Sequence, residues 1–170
     1  MSEDFSELDP RLTETARASL GRAGFLAHNE GSEYVGTEHI LLGVLAQNSS
    51  LGAKILAENG VTLDRAEMAL NLTAKPLVIT IVSKGLSAEV VELIRIAWQL
   101  AVEFGQEKIG TEHIVYGMLQ QHEARATKLL RDMNVDIDNL RGSLEDVFDK
   151  QQFESLQSER SVASKNSGDL

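Results

Sequence analysis

The chain has 170 residues, of which 42% are hydrophobic and 25% are charged, and its formal net charge is −10. This composition is typical of a globular protein that folds as one compact domain or as two closely packed halves. The negative charge disfavours nucleic-acid binding, which requires a basic surface, and the absence of cysteine excludes disulfides and thiolate metal sites.

The start of the chain has no features of a signal peptide. Residues 1–7 are acidic, and no apolar run in the chain approaches the ~20 residues of a membrane-spanning helix. We therefore expect a cytoplasmic protein with no membrane partner.

The pentapeptide Gly-Thr-Glu-His-Ile occurs twice, at residues 36–40 and 110–114, an offset of 74 residues. The same offset aligns further identical residues without a gap, from Leu12 with Leu86 to Val61 with Val135. The chain is therefore a tandem duplication, and each site in one copy should have a counterpart in the other.

The first element of each copy is predicted to be an amphipathic helix. Apolar residues recur at steps of 4, 4, 3 and 4 over residues 12–27, and again over 86–101. Two starts are open for the first copy: Asp9 as N-cap with Pro10 after it, or Thr13 as N-cap with Ser87 as its counterpart. Glycines at 31 and 105 are the expected stops.

The second helix of each copy starts in the repeated motif. Thr37 and Thr111 are predicted N-caps, with Glu38 and Glu112 in the first turn. A helix N-terminus favours an anion such as phosphate, and a carboxylate beside it favours a guanidinium. The pair could hold a ligand that carries both charges, but a threonine followed by an acid is also an ordinary helix start.

The remaining pattern predicts an all-α fold with four helices in each copy and eight in all. Gly43 and Gly117 lie inside the second helices, where glycine costs about 1 kcal/mol, so we expect close packing there. The third helix of the first copy spans residues 51–58. The fourth helices span about 63–72 and 137–148.

These elements divide the chain into a domain at residues 1–150 and a polar tail. The domain contains repeat one at about 11–74 and repeat two at about 85–148. Residues 75–84 join the repeats and are rich in β-branched residues, including the apolar segment 77–82, which we interpret as an extended linker. Residues 151–170 have few large apolar side chains and are predicted to be a linker or a disordered tail.

The sequence argues against an enzyme. In the motif, His39 and His113 follow a glutamate directly, whereas a zinc-binding helix needs its histidines at i and i+4. Packed, hydrogen-bonded histidines are therefore favoured over a His/Glu metalloenzyme. The chain has no nucleotide-binding Gly-x-x-x-x-Gly-Lys loop and no nucleophile motif, so we expect no cofactor, no metal and no catalytic residue.

The two segments at 36–45 and 110–119 resemble the duplicated N-terminal domain of Clp unfoldases, and their Gly-Thr-Glu-His form is closer to ClpC than to ClpA or ClpB. Residues 11–16, Arg-Leu-Thr-Glu-Thr-Ala, resemble the family's opening Arg-Phe-Thr-Glu-Arg-Ala. Lys54 and Lys128 match its Ala-Ala-Lys-x-Leu helix. The resemblance covers residues 11–148.

The resemblance implies a pseudo-twofold pair of four-helix repeats that docks adaptor proteins and protein substrates. It implies partners in the same pathway: an AAA+ ring in the parent protein and the ClpP peptidase. It also implies phosphoarginine binding, with Glu38 and Glu112 as the guanidinium contacts and Thr13, with its counterpart Ser87, beside them. The alternative is a stand-alone protein of this family that sequesters substrates or small molecules without an ATPase ring.

This chain departs from the family pattern in two places. Ser32 and Gln106 replace a histidine that usually precedes the motif. The turn after the second helix also differs in both copies, and the second copy has diverged further than the first. The resemblance therefore predicts two sites of unequal affinity.

Overall fold

The computed structural model describes residues 9–70 and 85–167, with side chains for 10–70 and 85–159. The segment 75–84, which we interpreted as an extended linker, lies outside the described residues. The described part contains eight α-helices and no strand, which confirms the predicted all-α fold. The helices are α1 (Glu14–Glu30), α2 (Thr37–Ala46), α3 (Leu51–Glu58), α4 (Leu63–Ala69), α5 (Ala88–Glu103), α6 (Thr111–Leu119), α7 (Arg125–Asp132) and α8 (Ile137–Ser167).

The start of α1 is decided in favour of Thr13. Its hydroxyl accepts a hydrogen bond from the backbone N–H of Ala16 at 3.2 Å, while residues 9–11 form a separate 3-10 turn. Ser87 caps α5 in the same way, accepting from the N–H of Val90 at 3.2 Å. Gly31 follows α1 with φ 74°, a left-handed conformation that glycine adopts at no steric cost, as predicted for the stop.

Thr37 and Thr111 are not N-caps, contrary to the prediction. The caps are the preceding glycines, and the threonines are the first helical residues of α2 and α6. The Thr37 hydroxyl accepts from the N–H of Ala126 at 3.1 Å, and the Thr111 hydroxyl accepts from the N–H of Gly52 at 2.8 Å. Each threonine hydroxyl therefore accepts a hydrogen bond from a backbone N–H at the start of the third helix of the opposite repeat. Residue spacing along a single helix cannot predict such a contact.

A second pair of reciprocal contacts joins the repeats through short parallel bridges. Leu12, just before α1, pairs with Ile109, and Leu86, just before α5, pairs with Val35. The N–H of Thr13 donates to the Ile109 carbonyl, and the N–H of Ile109 donates to the Arg11 carbonyl. As a result, the start of each first helix lies beside the motif of the other repeat.

Two close helix crossings explain the glycines inside α2 and α6. A Cβ on Gly43 would lie 2.2 Å from the Ser19 carbonyl oxygen of α1. A Cβ on Gly117 would lie 2.6 Å from the Leu93 carbonyl oxygen of α5. Backbone therefore meets backbone at both crossings, in agreement with the close packing expected from sequence.

α2 and α3 belong to the buried core of the domain. No single helix among the described residues is long and apolar enough to cross a membrane. α2 and α3 meet that requirement only when taken together, and they are bent by 97° relative to each other. Nine of the ten residues of α2 are buried, so their apolar character is explained by the core.

The last helix is longer than predicted, and residues 151–167 form a helix rather than a disordered tail. α8 continues through Ser167. No glycine or proline occurs between residues 143 and 167, so nothing in the sequence breaks the helix. Gln151 and Ser155 are half-buried at i, i+4 spacing while their neighbours are exposed. The low apolar content of this segment is therefore that of a mostly exposed helix, which contacts the rest of the domain through one narrow face.

Candidate ligand-binding clefts

Two open clefts lie at the N-termini of α2 and α6, at positions related by the repeat. The Glu112 cleft has a volume of about 740 Å³, and the Glu38 cleft has a volume of about 360 Å³. Residues lining the Glu112 cleft include Thr13, Gln106, Glu107, Lys108, Glu112, His113, Gln151, Glu154 and Glu159. Residues lining the Glu38 cleft include Ser32, Glu33, Tyr34, Thr37, Glu38, Ser87, Glu89, Glu123 and Arg125.

Each cleft combines residues from both repeats. Thr13 of repeat one lies in the cleft of Glu112, and Ser87 of repeat two lies in the cleft of Glu38. The reciprocal bridges between the repeats cause this exchange. Four of the six predicted site residues are therefore brought together in two cross-repeat pairs. Thr37 lines the Glu38 cleft, whereas Thr111 is not among the residues of the Glu112 cleft.

Glu38 is buried, with 5% of its surface exposed. Its Oε1 lies 3.5 Å from Arg125 Nη1, and its Oε2 is buried with no hydrogen-bond partner. The carboxylate folds back over Gly36, where a Cβ would lie 2.3 Å from Oε1. The glycine that opens the motif thus leaves room for the carboxylate, which is a role that the sequence alone did not indicate.

Glu112 is buried to a similar extent, with 7% exposed, but no arginine among the described residues pairs with it. The position equivalent to Arg125 is Leu51, 74 residues earlier. Among the described residues, the ionisable group within 4 Å of the carboxylate is His113, whose Nδ1 lies 3.3 Å from Oε1. Burial raises the pKa of Glu112 to about 7, so the carboxyl exchanges its proton near neutral pH.

The two motif histidines have structural roles, as expected. The Nδ1 of His39 accepts from the N–H of Gly36 at 2.9 Å, and the Nδ1 of His113 accepts from the N–H of Gly110 at 2.8 Å. An accepting Nδ1 carries no proton, so the contact between Glu112 and His113 is not an ion pair. The other ring nitrogen of His39 bonds Glu30 Oε2 at 2.5 Å.

His113 has an apolar environment in place of that carboxylate. Phe104 stands where repeat one has Glu30, and the His113 ring stacks on Phe148 with centroids 5.3 Å apart. Its Nε2 is buried without a hydrogen-bond partner, and burial lowers the pKa of His113 to about 4. The ring is therefore neutral at physiological pH. Among residues 9–70 and 85–167, no three His, Asp or Glu side chains are grouped to hold a metal.

Both clefts are acidic. The carboxylates of Glu33, Glu89 and Glu123 line the cleft of Glu38, and those of Glu107, Glu154 and Glu159 line the cleft of Glu112. The negative electrostatic potential of these carboxylates is concentrated by the low-dielectric walls of a cleft, and it attracts cationic groups. A buried carboxylate at the base of an acidic cleft is suited to a guanidinium, which can approach it with two hydrogen bonds.

A sequence model of the Clp repeat N-terminal domain matches the chain at residues 11–80 and again at 85–167. The chain belongs to the Clp repeat N-terminal domain family. The two matches correspond to the two repeats, and the second one includes the part of α8 that composition alone had assigned to a tail.

Individual relatives agree with the family. The chain is 28% identical over 140 residues to the chloroplastic chaperone protein ClpC1 of Oryza sativa subsp. japonica, a match that covers 77% of this chain and 14% of that protein. The N-terminal domain of the chaperone ClpD from Arabidopsis thaliana has the same fold, with a TM-score of 0.68 at 20% identity, covering 87% of this chain and 98% of that one.

A ClpV N-domain solved in complex with a VipB peptide is also similar. Its TM-score is 0.64 at 21% identity, covering 86% of this chain and 94% of that one. The chain spans about 14–16% of the length of the curated relatives that it matches.

Proposed function

We propose that this chain is the docking domain of a ClpC-type protein unfoldase, where it receives adaptor proteins and protein substrates. The pair of acidic cross-repeat clefts, each with a buried glutamate at its base, carries this proposal. Such clefts are suited to binding and orienting a ligand, so the proposed role is that of a binding domain rather than of an enzyme. An AAA+ ring in the same protein and the ClpP peptidase would be its cytoplasmic partners.

The chemical feature that these clefts fit best is an arginine side chain bearing a phosphate. The guanidinium would contact the buried carboxylate, and the phosphate would lie toward the hydroxyl of Thr13 or Ser87. Each hydroxyl accepts one helix-cap hydrogen bond, which leaves its O–H as a donor. The O–H of Ser87 would donate to a phosphate oxygen, and that of Thr13 would do so in place of its 3.4 Å contact with Thr15 Oγ1. In the larger cleft the ammonium of Lys108 adds a positive charge for the phosphate.

Calorimetric titration with free phosphoarginine tests this proposal. Loss of one charge-assisted contact costs about 1.5–3 kcal/mol, so Glu112→Gln should weaken binding at its cleft by about 10- to 100-fold. The double variant with Glu38→Gln should not bind. Glu58→Gln removes an exposed carboxylate that lines neither cleft, and it should bind like the wild type.

The result that contradicts the proposal is equally direct. If the wild type shows no binding, or if the double variant binds as well as the wild type, the motif glutamates do not form the ligand site. Circular dichroism of each variant must show the wild-type helical spectrum for the comparison to be valid.

A stand-alone sequestering protein remains the alternative within this family, and the parent reading frame distinguishes the two. An unfoldase requires a nucleotide-binding Gly-x-x-x-x-Gly-Lys loop after Leu170. The curated relatives are six to seven times longer than the matched region, since the match covers 14–16% of them, which favours the unfoldase.

A further inference from the structure

The two clefts differ in the residue that faces the buried glutamate from the start of the neighbouring helix. Arg125 brings its guanidinium to 3.5 Å from the buried carboxylate of Glu38, whereas its counterpart in the other cleft is the uncharged Leu51. A guanidinium group is what the proposed ligand would also place on this carboxylate. The Glu38 cleft therefore already holds a group of the kind that it is suited to bind.

The position of Arg125 is fixed by the contact between the repeats. It is the first residue of α7, and the next N–H, that of Ala126, donates to the hydroxyl of Thr37 at 3.1 Å. Thr37 directly precedes Glu38 at the start of α2. The start of α7 is thus fastened over the start of α2. The side chain of Arg125 is 74% exposed and contacts Glu38 through its guanidinium, so a competing ligand can displace it.

The Glu112 cleft has the opposite character. Leu51 also follows a fastened helix start, because the N–H of Gly52 donates to Thr111 at 2.8 Å, but it offers no charge to the carboxylate. Two buried polar atoms of this cleft, His113 Nε2 and Gln151 Oε1, have no hydrogen-bond partner. The extension of α8 adds the carboxylates of Glu154 and Glu159 to its wall.

We infer that Arg125 is a tethered competitor that occupies the Glu38 cleft, so that an arginine side chain of a partner protein binds first in the Glu112 cleft. The inference rests on the proposed function, because it assumes that the clefts accept guanidinium groups. A tethered group acts at an effective concentration in the millimolar range, whereas a partner's arginine competes at its solution concentration. Arg125 thereby makes the two repeat-related clefts unequal.

The test uses N-acetyl-L-arginine amide, which carries the guanidinium without a phosphate. The full chain is labelled with ¹³C at its glutamate carboxyls, and the signals of Glu38 and Glu112 are assigned with the Gln variants. Titrations at pH 8 keep Glu112 ionised, above its pKa of about 7. In the wild type, the Glu112 signal should respond at lower ligand concentration than the Glu38 signal.

Two substitutions should each reduce the difference in affinity between the two clefts. Arg125→Gln should tighten binding at Glu38 by about fivefold, in line with the strength of an exposed ion pair, and leave Glu112 unchanged. Leu51→Arg should weaken binding at Glu112 by a similar factor. The matched control is Arg131→Gln, which removes the same charge from the last turn of α7, where the side chain bonds the His122 carbonyl and lines neither cleft.

The possible outcomes distinguish the role of Arg125 from guanidinium binding by the clefts. If both glutamates respond equally in the wild type, or if Arg125→Gln leaves Glu38 unchanged while Glu112 binds, the role of Arg125 is overturned and the docking proposal stands. If neither glutamate responds in any variant, the guanidinium-binding proposal itself fails, and the inference fails with it.

Discussion

At the scale of single residues, the two motifs use the same five letters in different environments. His39 is bonded to Glu30, whereas the His113 ring stacks on Phe148, which in turn contacts Phe104. In the second environment, burial raises the pKa of Glu112 to about 7 and lowers the pKa of His113 to about 4. At pH 5 to 6 the folded protein therefore holds a neutral acid beside a neutral imidazole.

This environment predicts how stability depends on pH. The raised pKa of Glu112 makes the free energy of unfolding fall as pH rises from 4.5 to about 7, because the folded state holds a proton that the unfolded state has lost. The lowered pKa of His113 makes it rise between about 4 and 6.5, because the unfolded state binds the extra proton. Between pH 4.5 and 6.5 these two opposite effects on the free energy of unfolding offset each other.

Glu112→Gln removes the contribution of Glu112 to this pH dependence and leaves that of His113. The free energy of unfolding should then rise with pH from 4.5 to 6.5 by about 1.4 kcal/mol per unit relative to the wild type. Above pH 7 the variant should be more stable than the wild type, since no charge is buried. Urea denaturation across pH 4.5 to 8 measures this, with the exposed Glu58→Gln as control. Parallel profiles for Glu112→Gln and the wild type would contradict it.

At the scale of elements, helix contacts depend on which glycines face a neighbour. Gly43 faces the backbone of α1, whereas a Cβ on Gly24, inside α1, meets nothing within 4 Å. Both are helical and neither has a positive φ. The two positions therefore separate intrinsic helix preference from packing.

Replacing each of these glycines by alanine should give opposite results. Gly24→Ala should stabilise the protein by about 0.5–1 kcal/mol, because alanine loses less backbone entropy in a helix. Gly43→Ala should destabilise it by about 1–3 kcal/mol, because the new methyl group forces α1 and α2 apart. Thermal unfolding followed by circular dichroism measures both. A stabilising Gly43→Ala would show that the helix crossing is looser than the structure indicates.

At the scale of the whole molecule, the repeats are joined by exchanged contacts rather than by a simple interface. Two bridges and two hydrogen bonds to threonine hydroxyls cross between them, and α3 packs on α6 and α2 on α7 of the other copy. A separate repeat would leave these groups unsatisfied. It would also have about 60 residues, which is marginal for an independent core.

A fragment of residues 1–74 should therefore fold poorly, whereas residues 1–150 should unfold in one cooperative transition. Removing residues 151–170 should change the transition midpoint little, because most described side chains after Lys150 are exposed. Circular dichroism melts of the two fragments and the full chain test this. A sharp melt of the 1–74 fragment alone would mean that the exchanged contacts are not required for folding.

The sequence by itself determined the features that neighbouring residues control. The 74-residue offset, the apolar steps along α1 and α5, and the stop at Gly31 are local signals, and each predicted its element correctly. The duplicated motif also marked Glu38 and Glu112, which the structure places in two clefts related by the repeat. The helix beyond residue 150 was not predicted, because the low apolar content of that segment is typical of disorder even though it has no helix breaker before Gly168.

Only the tertiary structure decided which residues meet. Thr37 bonds Ala126 and Thr111 bonds Gly52, partners that lie 89 and 59 residues apart. The pairing of Thr13 with the Glu112 cleft and the approach of Arg125 to Glu38 follow from the same exchange between repeats. The physical reason is that helix periodicity and capping act within a few residues along the chain. Burial, pKa and charge pairing instead depend on atoms that only the packing of the two repeats brings together.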